Sequence, residues 1–206
     1  MARIVKASSS AVSECAKVLE SGGIVAYPTE TVYGLGVDAT NPKALKSLFA
    51  VKERDMTKPS SVAVSGIEKA KEIAIFNQTA EKLAMRFLPG PMTLVVRAIL
   101  PMPLISLNGK IGIRIPSNDF SNKLLRQFPR PITATSANIS GQGSVTRASD
   151  LHSKIIDSVD VVVDSQESKY GQGSTVVEVL DSRVKILREG AIASEEIENI
   201  LNAKTE

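Results

Sequence analysis

Short apolar runs of strand length alternate with segments of helical periodicity along almost all of this sequence, and that alternation limits the chain to an α/β fold. Ala11, Val12, Cys15, Val18 and Leu19 have the spacing of one helix face and stop at Gly22-Gly23, a helix-ending signal. IVAY (24–27) then reads as a buried strand. Asn41-Pro42 reads as an N-cap with proline at the first helical position, leading a helix through Ala44, Leu45, Leu48 and Phe49 that ends near Val51. SVAV (61–64) is strand-like, a helix over 78–88 is broken at Pro89-Gly90-Pro91, and TLVVR follows as a strand.

The pattern continues through GIRIP (112–116), a helix capped by Ser117 and carrying Phe120, Leu124, Leu125 and Phe128, and the strand ITAT (132–135). A short helix over 151–156 precedes VDVVVD. STVVEVL and VKIL read as a hairpin, and Ser194 is placed to cap a last helix through Ile197, Ile200 and Leu201. Several strands lie close enough in sequence for antiparallel pairing, so a mixed parallel and antiparallel sheet flanked by helices is expected. No repeat, low-complexity tract or linker interrupts the 206 residues, and a single domain over 1–206 is the economical expectation.

Composition removes several chemistries. One cysteine, Cys15, cannot form an internal bridge, and with a single histidine, His152, the chain lacks ligands for a structural zinc or a zinc deaminase and makes a Cys-His nucleophile pair a poor expectation. No metal site is expected. The chain opens without an apolar run of signal-peptide length, and no stretch approaches the ~20 apolar residues that span a bilayer, so a cytoplasmic protein is expected. The 25 Lys and Arg barely exceed the 22 Asp and Glu, and aromatics are 4% with no Trp; RNA binding would have to rest on charge and not on stacking.

No G-x-x-x-x-G-K-[ST] loop is present, so a bound phosphate has to be held by side-chain cations and loop amides. Cations do gather at element ends: Lys52, Arg54 and Lys58 in KERDMTK, Lys110 and Arg114 around GIRIP, and Arg188 after VKIL. Lys52 and Arg54, two apart in an extended exit segment, would face one side. One such charge is usually only solvated surface, but several together can hold a triphosphate, because each charged hydrogen bond contributes roughly 1.5 to 3 kcal/mol. Two hydroxyl-rich segments, TSANISG (135–141) and GQGST (171–175), read individually as turns or as anion-binding loops. YPTETVYGLG (27–36) is the most specific segment, placing hydroxyls and the Glu30 carboxylate at a strand end, where α/β sheets bind ligands.

These motifs, with PGPMT (89–93), STV (174–176) and LREG (187–190), stand in the order found in the YrdC-like family, the threonylcarbamoyl-adenylate synthases of tRNA modification, which the chain resembles over nearly its whole length. The resemblance implies a mixed sheet around a large basic concave cleft. It implies L-threonine, bicarbonate and ATP with Mg²⁺ as reactants, threonylcarbamoyl-AMP and pyrophosphate as products, and a separate tRNA threonylcarbamoyl transferase downstream. Thr31, Arg114, Ser174 and backbone near Ala134 would take threonine; Arg54, Lys58, Ser136, Ser144 and Arg188, with Lys110 a weaker candidate, would take ATP.

Lys52 joins Arg54 as the catalytic cationic pair in this reading, and Asn138 orients the loop. Longer relatives carry a second C-terminal domain that closes over the nucleotide, whereas this sequence ends at Glu206; some relatives have a histidine where Ala63 stands here. A monomer is expected. The alternative reading is a non-catalytic protein of double-stranded RNA binding or ribosome assembly using the same basic cleft.

Overall fold

The chain forms two mixed sheets joined by one short segment, residues 132–136, of which Ala134, Thr135 and Ser136 line the candidate site. The computed structural model describes residues 2–181 and 183–202. In chain order the elements are β1 (Arg3–Lys6), α1 (Ser9–Glu20), β2 (Val25–Tyr27), β3 (Gly34–Gly36), α2 (Pro42–Val51), β4 (Val62–Ala63), α3 (Ile67–Lys71), β5 (Ala74–Ile75), α4 (Gln78–Phe87), β6 (Met92–Ala98), β7 (Ser106–Leu107) and β8 (Lys110–Arg114). Then come α5 (Asp119–Gln127), β9 (Ile132–Thr133), β10 (Thr135–Ser136), a 3₁₀ turn (Ala148–Asp150), α6 (Ser153–Ser158), β11 (Val161–Asp164), β12 (Thr175–Leu180), β13 (Arg183–Arg188) and α7 (Ser194–Asn202).

One sheet runs β1-β11-β2-β3-β10; the other runs β13-β12-β6-β8-β4-β9, with β5 on β6 and β7 on β8. The expected single sheet is therefore two. ITAT divides between them: Ile132 and Thr133 pair with β4, whereas Thr135 and Ser136 pair with Leu35 and Gly34 of β3. Ala134 is the crossing point, and its amide donates to Ser61 O at 2.7 Å. β12 and β13 pair antiparallel, as the hairpin reading expected.

Helix α1 covers the first sheet together with α5; Cys15, Leu19, Phe120, Leu124 and Phe128 share one apolar cluster with Val25, Tyr27 and Val163. Each such side chain taken out of water contributes roughly 1.5 to 3 kcal/mol. Asn41 caps α2 by accepting from the Lys43 and Ala44 amides. The α5 cap is Asn118, whose Oδ1 accepts from Ser121 N at 3.1 Å, and not Ser117. Ser194 lies inside α7, where its amide and hydroxyl donate to Glu189.

The two residues that composition singled out are structural. Cys15 is buried, and desolvation, with Glu14 adding to it, pushes its thiol up to about 12, so it carries no thiolate at neutral pH. His152 caps α6, its Nδ1 accepting from Lys154 N at 3.1 Å. Among the described residues no helix is long and apolar enough to cross a membrane.

Candidate active site

YPTETVYGLG folds back on itself: β2 and β3 pair antiparallel, with Tyr27 opposite Gly34, and the TET segment forms the bend between them. The two glycines of GLG are there for the Tyr27 ring, because a Cβ on Gly34 or Gly36 would come within 3.2 or 3.0 Å of it. Tyr27 in turn donates from its hydroxyl to Thr133 O at 3.1 Å, fixing the bend against the segment that joins the two sheets. Burial pushes that phenol up to about 12, with Arg114 pulling the other way, so it stays protonated and remains a donor.

Inside the bend Thr29 makes its own turn, its hydroxyl donating to Val32 O at 2.6 Å. Arg114 reaches in from the end of β8 and its Nη2 donates to Glu30 Oε1 at 2.9 Å, to Thr29 Oγ1 at 3.2 Å and to Thr31 Oγ1. Both charged partners are buried, Arg114 at 7% exposure and Glu30 at 5%. The Arg114 Nε is also buried and has no partner among the described residues. A buried guanidinium N–H left unpaired is costly, and an incoming oxygen relieves that cost.

Arg114 lines a cavity of about 240 Å³ whose walls also include Arg54, Ala134, Ser136, Ser144, Ser174 and Arg188. Three arginines and seven Ser or Thr residues line it, the latter counted as Ser60, Ser61, Thr93, Thr135, Ser136, Ser144 and Ser174, and no Asp or Glu does among the described residues. Arg54 is held by its own loop, with Nε donating to Lys58 O at 3.0 Å and Nη2 to Pro59 O at 2.7 Å, and it lies over the Phe49 ring. Arg188 donates from Nη2 to Ser174 O at 2.7 Å. Burial lowers the pKa of both guanidinium groups, and for Arg188 the charge of Arg114 lowers it further. The site is thus a set of crowded cations that an anion stabilises.

Ser174 is buried and shares a hydrogen bond of 2.8 Å with Thr93, the last residue of PGPMT. GQGST and LREG meet here because Gly190 packs directly on Gly173; a Cβ at Gly190 would stand 2.2 Å from the Gly173 carbonyl oxygen. Ala191 N donates to that same oxygen at 3.0 Å, closing the two loops together behind Ser174 and Arg188.

Four sequence-predicted residues sit elsewhere. Lys52 is one of the largest fully buried side chains, at 2% exposure, and its ammonium donates to Ser136 O, to Asn138 O at 2.6 Å and to Asn138 Oδ1 at 3.4 Å. It tethers the TSAN loop and does not line the cavity. The extended exit segment is absent: Lys52 caps α2 in helical conformation, and Glu53 takes a left-handed φ of +49°, which sends Arg54 the other way. Lys58 is exposed, and it is its carbonyl that serves the site, through Arg54.

Lys110 pairs with Glu178 at 2.8 Å in an adjoining hollow of about 320 Å³ that shares Pro59, Ser60, Ser61 and Val176 with the cavity. Thr31 is wholly buried and does not line the cavity; it touches Arg114. Sequence reasoning missed Thr93, Ser60 and Ser61. Thr93 sits in a quoted motif, but nothing local marks Ser61 except its packing against Gly112, where a Cβ would come within 2.4 Å of its hydroxyl.

A larger cavity, about 580 Å³, lies behind the TET bend and is lined by Thr29, Glu30, Ser117 and the starts of α1 and α5. It holds acidic as well as basic side chains and none of the three arginines. The smaller cavity is the candidate active site because it gathers the uncompensated cations.

An α/β domain with an arginine-lined cavity where one strand segment passes between two sheets is the class that this geometry defines. The chain belongs to the Sua5/YciO/YrdC family, described as telomere recombination, which matches residues 17–190. It is 36% identical over 189 residues to the threonylcarbamoyl-AMP synthase of Pyrococcus abyssi, 89% of this chain and 55% of that one, and 32% identical over 195 residues to that of Bacillus subtilis, covering 92% and 56%. The chain thus spans about half the length of those two relatives, and 84% of a 35% identical protein from Methanocaldococcus jannaschii. The crystal structure of P. abyssi Sua5 complexed with L-threonine superposes with a TM-score of 0.90 at 32% identity, over 98% of this chain and 60% of that chain. E. coli YciO shares the fold, with a TM-score of 0.84 at 18% identity, over 92% of this chain and 96% of that chain.

Proposed function

We propose that the cavity makes threonylcarbamoyl-AMP and pyrophosphate from L-threonine, bicarbonate and ATP. The relatives named as synthases support the reading of the chain as an enzyme, and nucleotidyl transfer is our assignment of its reaction class. The observation that carries it is Arg114: a buried guanidinium with an unpaired Nε, lining the same 240 Å³ cavity as two arginines that make no ion pair among the described residues. A single carboxylate suits the first, and a polyphosphate suits the others.

In this reading Arg114 takes the threonine carboxylate, with Ser174 and the Ala134 backbone beside it and Thr31 holding the guanidinium from behind. Threonine and bicarbonate give a carbamate on the amine with loss of water. A carbamate oxygen attacks the α-phosphorus, the bond to the bridging oxygen breaks, and pyrophosphate leaves with the electron pair. Arg54, Arg188, Ser136 and Ser144 hold the phosphate oxygens and stabilise the charge that develops on them. No side-chain base is required beyond those that bind.

No group of three or more His, Cys, Asp or Glu among the described residues is arranged to hold a metal, and the cavity presents no carboxylate. In this proposal Mg²⁺ enters with the substrate as MgATP. The product is consumed, in this proposal, by a separate transferase acting on tRNA.

Pyrophosphate release from MgATP is expected only when L-threonine and bicarbonate are both supplied; release independent of threonine, or RNA affinity far above ATP affinity, overturns the proposal. Arg54→Ala should raise the KM for ATP about 10- to 100-fold, the equivalent of one charged hydrogen bond. Thr31→Ala should act mainly on threonine.

A further inference from the structure

We infer that Glu30 is a positioning residue for substrate selection: it fixes the Arg114 guanidinium from outside the cavity by engaging Nη2, so that the remaining N–H groups are left for the substrate carboxylate. The inference rests on the reading of Arg114 as the carboxylate anchor. Three contacts hold Glu30 still. Oε1 accepts from Arg114 Nη2 at 2.9 Å, Oε2 accepts from Ser117 N at 3.1 Å, and the Glu30 carbonyl accepts from Tyr170 N at 2.9 Å. Arg114 and Ser117 are three residues apart, so one carboxylate clamps both ends of the short segment that leaves β8.

Glu30 does not line the active-site cavity. It lines the larger cavity on the far side of the TET bend, together with Thr29 and Ser117. The ion pair therefore links the two cavities, with Glu30 lining one and Arg114 lining the other. Glu30 cannot touch a substrate in the smaller cavity except through Arg114. Because Nη2 is shared among Glu30, Thr29 and Thr31 while Nε has no partner, the guanidinium is already turned before any carboxylate arrives.

Two roles for Glu30 make opposite predictions. If it acted only as a charge, Glu30→Gln would raise the positive potential of the cavity and tighten both threonine and ATP. If it acts by position, the same change removes the double clamp, because one Gln oxygen cannot accept from both Arg114 and Ser117 while its amide nitrogen only donates. Threonine then weakens and ATP does not.

The test is calorimetric titration of the full chain, wild type and Glu30→Gln, with L-threonine and with ATP separately, alongside the thermal midpoint. Threonine dissociation constants about tenfold weaker, about 1.4 kcal/mol, with ATP within about twofold, are expected. Unchanged or tighter threonine binding, or equal weakening of both ligands, overturns the inference. Should Glu30→Gln not fold, Glu30→Asp, which keeps the charge and shortens the reach, is titrated in the same way and judged by the same outcomes. Absence of threonine binding in the wild type would instead sink the underlying reading of the cavity, so the two failures are distinguishable.

Discussion

The two sides of the cavity hold their arginines by different means. Arg114 has a permanent acidic partner 2.9 Å away and two threonine hydroxyls around the same nitrogen. Arg54 and Arg188 have only neutral hydrogen-bond partners, the carbonyls of Lys58, Pro59 and Ser174 and the Ser174 hydroxyl, and no ion pair among the described residues. A guanidinium with a counter-ion keeps its direction but presents little net charge. One supported by neutral groups keeps its charge, and burial lowers the pKa of both, with Arg114 adding to it at Arg188 and Asp55 opposing it at Arg54. Direction suits a small carboxylate that must be placed for reaction, and charge suits a polyphosphate.

Breaking the first side should have the largest effect. Arg114→Ala leaves Glu30 buried with no cation, and removal of one partner of a buried ion pair costs about 3 to 5 kcal/mol. At about 2 to 4 °C per kcal/mol for a chain of this size, the thermal midpoint should fall by on the order of 10 °C. Threonine-dependent pyrophosphate release should disappear with it. Adding Glu30→Gln to Arg114→Ala should recover stability and not turnover. A single variant that loses less than about 1 kcal/mol would show that the pair is not a buried structural element, and the contrast between the two sides would collapse.

The same contrast explains what was legible in the sequence. Helices α1, α2 and α4 and the β12-β13 hairpin follow from periodicity and caps, because their apolar faces and end signals are local. ITAT reads as one strand because four successive residues have strand character, but only tertiary pairing divides it between two sheets at Ala134. Motif order brought Arg54, Arg114, Ser136, Ser144, Ser174 and Arg188 to one cavity. Lys52 was illegible for a physical reason. A lysine two residues from an arginine looks like its companion, and only the left-handed Glu53 between them reveals that Lys52 goes into the core and Arg54 to the cavity. Glu30 was illegible because its partner, Arg114, is 84 residues away.

Lys52 sharpens the comparison from the second side, since it holds Ser136 in place without touching the cavity. Burial, with Arg54 adding to it, brings its ammonium down from 10.5 to about 8. The folded chain therefore binds fewer protons than the unfolded chain between pH 8 and 10.5, and this group's contribution to stability rises with pH across that window. Function runs the other way. A neutral amine has two N–H donors for three acceptors, so the TSAN loop loosens as pH rises through about 8. ATP affinity should fall about three- to tenfold between pH 7 and 9 while threonine affinity changes less. Lys52→Met, matched in volume and uncharged, should start at the weaker value at pH 7 and stay flat; a wild-type profile equally flat would separate the tether from ATP binding.

The smallest effect expected is at Glu53, and it asks whether placement of Arg54 depends on backbone or on side chain. Arg54 N donates to Phe49 O and Glu53 N to Ala50 O, the pattern of a helix end whose left-handed residue is most often glycine. A non-glycine residue at φ +49° carries strain of about 1 kcal/mol. The Glu53 ion pair with Lys154 is exposed at both ends and offsets little of that. Glu53→Gly should therefore raise unfolding free energy by about 0.5 kcal/mol, because relief of strain is partly cancelled by the freer unfolded chain. Glycine keeps the same turn, so the KM for ATP should stay within about twofold. Glu53→Val is the converse: a branched side chain resists positive φ, the turn opens, and the KM for ATP should rise severalfold while that for threonine holds. If Glu53→Val leaves ATP untouched, the charge of the second side does not depend on this turn, and Arg54 is placed by its carbonyl contacts alone.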